Sequence, residues 1–112
     1  MEDSPFAVTG DEGYVAVIFT SQKSDDATGY PAMLQRMEEL AAEQPGYLGV
    51  ESAGGPDGFG ITVSYWATEA DARAWKQVAE HAAAQRQGRE RWYTRYVTRV
   101  ARVHRAYGWP AD

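Results

Sequence analysis

The side chains able to do chemistry gather in one stretch, Trp66 to Tyr96, which holds three of the four tryptophans, one of the two histidines and five of the nine arginines. Large rings at Trp66, Trp75, Trp92 and Tyr96 around His81 describe the wall of an enclosed, ring-lined pocket. Several other chemistries lack their ingredients. There is no P-loop, dinucleotide fingerprint, nucleophile-elbow serine or HExxH pair in the sequence. With no cysteine, disulfides, thiolate metal sites and a cysteine nucleophile are excluded, and two histidines disfavour a metalloenzyme.

The elements that must position these rings follow from periodicity. Residues 1–13 mix acids, Pro5 and glycine into an arm, with a short strand expected at Phe6 to Thr9. In Tyr14 to Ser21, Val15, Val17 and Phe19 fall on one face and Ala16 and Ile18 on the other, so the strand is apolar on both sides and central. Tyr30, Met33, Leu34, Met37, Leu40 and Ala41 repeat at helical spacing, with Pro31 in the first turn and Pro45-Gly46 as the stop. Tyr47 to Ala53 and Ile61 to Trp66 read as strands joined by a hairpin turn over 54–60, GGPDGFG.

Thr68 with Asp71 approximates a capping box, so a second helix starts at Glu69 and must stop near Gly88. Its apolar stripe is Ala72, Trp75, Val78, Ala79 and Ala82, and His81, about 60° from Val78 at 100° per residue, is expected at the border of the buried face. Tyr93 to Tyr107 is a long β-prone run interleaved with Arg95, Arg99, Arg102 and Arg105. Its length exceeds a usual strand of about five or six residues, so it is expected to reach onto a partner subunit.

The chain is 112 residues long, enough for one domain that buries about 65% of its unfolded surface. Its net charge of −5 hides a split: residues 1–72 carry two basic and thirteen acidic side chains, residues 73–112 nine basic and three acidic. Such halves neutralise each other within one fold or across a dimer, or attract an anion. No apolar run is long enough to cross a bilayer, and the amino terminus is acidic without a leader pattern, so a cytoplasmic protein with no membrane contact is expected.

The order β α β β α β closes most simply as a ferredoxin-like α+β fold, a four-stranded antiparallel sheet with both helices on one face. The other, partly apolar sheet face then needs cover. A second copy supplies it, which predicts a homodimer with an α+β barrel at its centre. The divisions are an arm over 1–13, the domain over 14–107 and a tail over 108–112.

The sequence resembles the antibiotic biosynthesis monooxygenase family of dimeric α+β barrel proteins. The likeness is carried by Gln44-Pro45-Gly46-Tyr47-Leu48-Gly49, by Ser64-Tyr65-Trp66 with Thr68-Glu69 and Ala72, and by Ala74-Trp75-Lys76 with His81. It implies a cleft in each protomer between helices and sheet. Family members include cofactor-free oxygenases of polycyclic phenols, haem-degrading enzymes and proteins of unassigned activity. In the cofactor-free case an electron-rich phenol or anthrone loses a proton and passes an electron to dioxygen. The protein then supplies a dry aromatic pocket, a donor or acceptor at the substrate oxygen and a positive group for the phenolate, with no cofactor and no metal.

For those roles the resemblance offers His81 as base or proton donor, and Trp66, Trp75 and Trp92 as ring-binding walls. Tyr65 and Tyr96 are hydroxyl donors, and Arg89 or Arg91 anion holders. Trp75 is also a core position at the centre of its helix stripe, Trp92 and Tyr93 are equally anchors for a dimer, and His104 is expected at the surface. The haem branch places its histidine about three turns after the tryptophan, where this chain has Gln85, and a polar amide on the first strand, where it has Val17-Ile18-Phe19. Haem degradation therefore ranks below the cofactor-free reading.

An alternative is a dimer of the same fold that binds a small aromatic molecule without turnover. Nucleic-acid binding is set aside: Asp57-Gly58-Phe59-Gly60-Ile61-Thr62 imitates the sheet signature of the RNA recognition motif, but Asp57 stands where a cation must meet phosphate, and Ile61 and Ser64 replace stacking rings.

Overall fold

The computed structural model describes residues 5–10, 12–25, 29–85 and 92–110, the side chains of 83–85 apart. The elements are β1 (Tyr14–Lys23), α1 (Tyr30–Ala42), β2 (Tyr47–Gly54), β3 (Phe59–Trp66), α2 (Glu69–Gln85) and β4 (Tyr93–Val103). All pairings are antiparallel, in the order β2-β3-β1-β4, so the fold is the expected ferredoxin-like α+β sheet with β1 inside it.

Local chemistry sets the boundaries. Gly29 enters α1 with φ 80°, a left-handed conformation that glycine adopts without penalty, and its carbonyl accepts from Met33 N–H at 3.1 Å. At the start of α2, Asp71 N–H donates to Thr68 Oγ1 at 3.1 Å while the hydroxyl donates to Asp71 Oδ2 at 2.8 Å, so the cap is reciprocal. The hairpin turn closes through Gly58 N–H to the Gly55 carbonyl at 3.1 Å and Phe59 N–H to Asp57 Oδ1 at 3.1 Å. No described helix is long and apolar enough to cross a membrane.

The core sits at one end of the molecule. Val15 of β1, Trp66 of β3, Ala41 near the end of α1 and Ala72 in the first turns of α2 form one buried cluster, with Val17, Tyr47 and Trp75 packed against it. Both helices therefore converge on the same sheet face. Trp66 is 0% exposed, and its indole N–H donates to Ser64 Oγ at 2.9 Å, which satisfies the one polar atom that burial would otherwise strand.

Two bulges break the strand alternation. In β2 the register passes from Tyr47↔Trp66 to Gly49↔Tyr65, so Tyr47 and Val50, three apart, both turn toward the helices. In β4 it passes from Lys23↔Tyr93 to Gln22↔Arg95, which brings Tyr93 and Tyr96 onto that same face.

Two expectations need correction. Phe6 to Thr9 is not a strand: the arm crosses the outer face of β2, with Ala7 N–H donating to Glu51 Oε2 at 3.1 Å. It passes so close to Gly49 that a Cβ there would meet Ala7 Cβ at 2.7 Å. β4 ends at Val103 rather than Tyr107, because Val103 pairs with Tyr14, the first residue of β1, and beyond it the sheet offers no partner.

Candidate functional site

Away from the core the helices and sheet part around a cavity of about 770 Å³, within the range of about 300–1,000 Å³ usual for small-molecule sites. Val17 and Phe19 of β1 and Thr98 of β4 lie on its sheet side. Met33 and Met37 of α1 and Trp75 and Ala79 of α2 lie on its helix side.

Aromatic rings cluster at both ends. At the core end Trp75 stacks on Trp66 with centroids 5.7 Å apart and planes 22° from parallel, and Tyr47 meets Trp66 edge-on at 5.7 Å. At the other end Phe19 touches Tyr93 and Tyr96 at 5.3 and 5.2 Å, and Tyr30 stands edge-on to Trp92 at 6.4 Å and to Tyr93 at 5.9 Å. The bulge in β4 makes this second cluster, because an unbroken strand would send Tyr93 and Tyr96 to opposite faces.

The polar groups at that end are hydroxyls and one ammonium. Burial, and then a hydrogen bond with Tyr30, push the Tyr93 hydroxyl far above the ordinary tyrosine value of 10.0, so it stays protonated. Lys23 Nζ lies over the Tyr30 ring, 4.8 Å from its centroid.

Of the residues singled out from the sequence, Trp75, Trp92 and Tyr96 line the cavity. Trp66 stands behind Trp75 in the core. Tyr65 is on the outer sheet face, where its hydroxyl donates to Glu51 Oε1 at 2.5 Å and its ring meets Tyr14 at 5.8 Å. Burial first, and then that bond, push its pKa up to about 12.

His81, expected at the border of the buried face, is exposed and is not on the lining. The reason is angular. The face turned to the cavity runs through Ala72, Trp75 and Ala79, and His81, two residues past Ala79, lies about 200° round the helix from it. Counting from Val78, at the margin of the stripe, misplaced it. His104 is exposed as expected. Arg89 and Arg91 lie outside the described residues.

Sequence reasoning assigned no site role to Phe19, Tyr30 or Lys23, and gave Met33 and Met37 only to the helix core stripe. Tyr30, Met33 and Met37 do follow one helical stripe, but periodicity marks a buried face without saying whether it meets side chains or a cavity. Among the described residues no group of three or more His, Cys, Asp or Glu could hold a metal ion. The arrangement suits an apolar, planar molecule held by rings, with hydroxyl donors and an ammonium at one end.

The comparisons agree with this architecture. Residues 13–87 match the family described as antibiotic biosynthesis monooxygenase. Over 97 residues the chain is 50% identical to the uncharacterized protein YqjZ of Bacillus subtilis (strain 168), covering 87% of this chain and 85% of that protein. SnoaB, a cofactor-independent oxygenase from Streptomyces nogalater, superposes with a TM-score of 0.67 at 14% identity, over 88% of this chain and 98% of that one. A variant of MhuD, crystallised with two manganese protoporphyrin IX molecules per active site, gives 0.61 at 18% identity, over 84% and 98%. At such identities the structural likeness speaks for the fold alone, whereas the family match spans most of the domain. The chain belongs to the antibiotic biosynthesis monooxygenase family.

Proposed function

We propose that this protein is a homodimeric, cofactor-independent monooxygenase that oxidises an aromatic or polycyclic phenolic molecule in the cavity between sheet and helices. The observation that carries the reading is the cavity itself, large enough for a small molecule and flanked by aromatic clusters at both ends. Trp75, Trp92 and Tyr96 act as ring-binding walls, with Phe19 beside them.

In the anthrone case the ring methylene carbon loses both hydrogens and gains one oxygen atom of O₂, while the other oxygen leaves as water. The substrate supplies all four electrons. What remains for the protein is to exclude water, hold the ring system flat and stabilise the oxyanion formed on deprotonation. The paired Tyr30 and Tyr93 hydroxyls keep one O–H proton between them to donate to that oxygen.

Oxygen uptake with a panel of anthrones and hydroquinones tests the reading. Turnover of at least one member is expected. Trp92→Ala is expected to lower kcat/KM at least tenfold, roughly 1.4 kcal/mol of transition-state stabilisation. His81→Ala, altered on the far side of α2, is expected to stay within about twofold of wild type. Loss of turnover in the His81 variant alone would return that residue to the catalytic role.

A non-catalytic binder of the same molecules is favoured by one observation: no histidine stands on the described lining to serve as base. Binding without oxygen uptake across the panel would establish it. The same donor set fits haem poorly, since the lining offers no imidazole and its Tyr93 is held neutral, so haemin titration is expected to leave the Soret band as in buffer.

A further inference from the structure

Lys23 is the charged side chain that the described sheet side of the cavity contributes, and an apolar ligand does not explain it. It stands at the end of β1, pinned from both sides: its own N–H donates to the Gly58 carbonyl at 2.9 Å, and the next residue, Ser24, donates to the Trp92 carbonyl at 2.7 Å. Gly58 makes this possible. It holds φ 88°, and a Cβ there would sit 3.3 Å from Lys23 Cβ. The backbone at Lys23 is thus fixed between the hairpin and the start of β4, and the ammonium lies over Tyr30.

Among the described residues Lys23 forms no ion pair: the bridges present are Arg36–Glu39 and Arg73–Glu69. The lining carboxylates are on the helices: Glu69 is paired with Arg73, Glu38 adds to burial in raising the pKa of Tyr47, and Glu80 is one helical turn from Lys76. A cation over the Tyr30 ring face, at the end of the cavity lined by Tyr30 and Tyr93 and without a carboxylate partner among the described residues, is an anion site in a largely apolar cavity.

We infer that the Lys23 end of the cavity is an anion subsite, and that the ligand is a planar aromatic molecule bearing an ionised oxygen group that docks there against Lys23, Tyr30 and Tyr93. This rests on the aromatic-ligand reading above and narrows it. The anionic group is anchored between β1 and the start of β4, and the rings extend toward Trp75 between the methionines of α1 and the sheet. An acid such as an aryl carboxylate and an acidic phenol share this chemistry; an uncharged polycycle does not.

Calorimetric titration with a matched pair, 2-naphthoate and its neutral isostere 2-naphthamide, provides the test. Wild type is expected to bind the naphthoate about tenfold more tightly than the amide, the scale of one charge-assisted contact. Lys23→Met is expected to abolish that preference while changing amide binding less than about twofold. Lys23→Arg is expected to retain it. A ratio near one in wild type, or a preference that survives Lys23→Met in a variant whose circular dichroism matches wild type, overturns the anion subsite and leaves the aromatic cavity standing. Failure of both probes to bind overturns the cavity reading and this inference with it. Titration of 2-naphthol across its ionisation then separates the sources of the anion: tightening as the phenol ionises admits phenolates, and its absence restricts the subsite to carboxylates.

Discussion

Single residues divide into those that hold the fold and those that face the cavity, and Trp66 and Trp75 show the division within one stacked pair. Trp66 is fully buried with its indole N–H on Ser64, so Ser64→Ala leaves a buried donor unsatisfied and is expected to cost about 1–3 kcal/mol in urea denaturation. Trp75 is half-buried, and Trp75→Ala is expected to weaken ligand binding more than it weakens the fold. Tyr65 carries a prediction in pH. Its hydroxyl, desolvated and bonded to Glu51, ionises near 12 in the fold against the ordinary 10.0, so the folded state favours the neutral form. That contribution is fully present below about pH 10 and is lost as pH rises from there through 12. Stability measured from pH 9 to 12 should therefore fall less steeply in Tyr65→Phe than in wild type; equal slopes would remove this account of the Tyr65–Glu51 bond. The sequence could place Tyr65 on one face of β3 but not say which face met the helices, since both carried rings.

At the level of elements, the order and nearly all boundaries were legible because each rests on local chemistry: the Thr68–Asp71 cap, Pro31 in the first turn of α1, the glycines of the hairpin. Thr68→Ala is expected to cost about 1 kcal/mol and Thr68→Ser to restore most of it, read from thermal melts. The bulges were not legible. Each inserts one residue into an alternation that looks ordinary on either side, and the aromatic cluster at the Lys23 end depends on one of them. His81 failed for a related reason. A helical stripe read from sequence gives relative angles, and only packing fixes its centre, here Ala72 and Ala79 rather than Val78. Within the protomer β4 ends where β1 has no residue left to pair, and the part of the β-prone run expected to reach a partner subunit lies beyond that point.

For the whole molecule, the sheet face turned away from the helices carries the argument. Much of the outer sheet face is apolar: Ile18 lies beside Val63, and Ile61 is 40% exposed. Its charges are segregated, with Glu51 on the β2 side and exposed Arg95 and Arg99 on β4, at the opposite edge of the sheet. Two copies related by a two-fold axis can set the arginine side of one sheet against the acidic side of the other, joining the unlike halves of the chain. Light scattering at micromolar concentration is therefore expected to return twice 12.4 kDa. Ile61→Lys, at a position already partly open to solvent, should leave the protomer folded and shift the mass toward the monomer, because a charge buried at an interface without a partner is strongly unfavourable. A monomer in wild type would contradict the dimer, and an intact dimer in Ile61→Lys would move the interface away from this face.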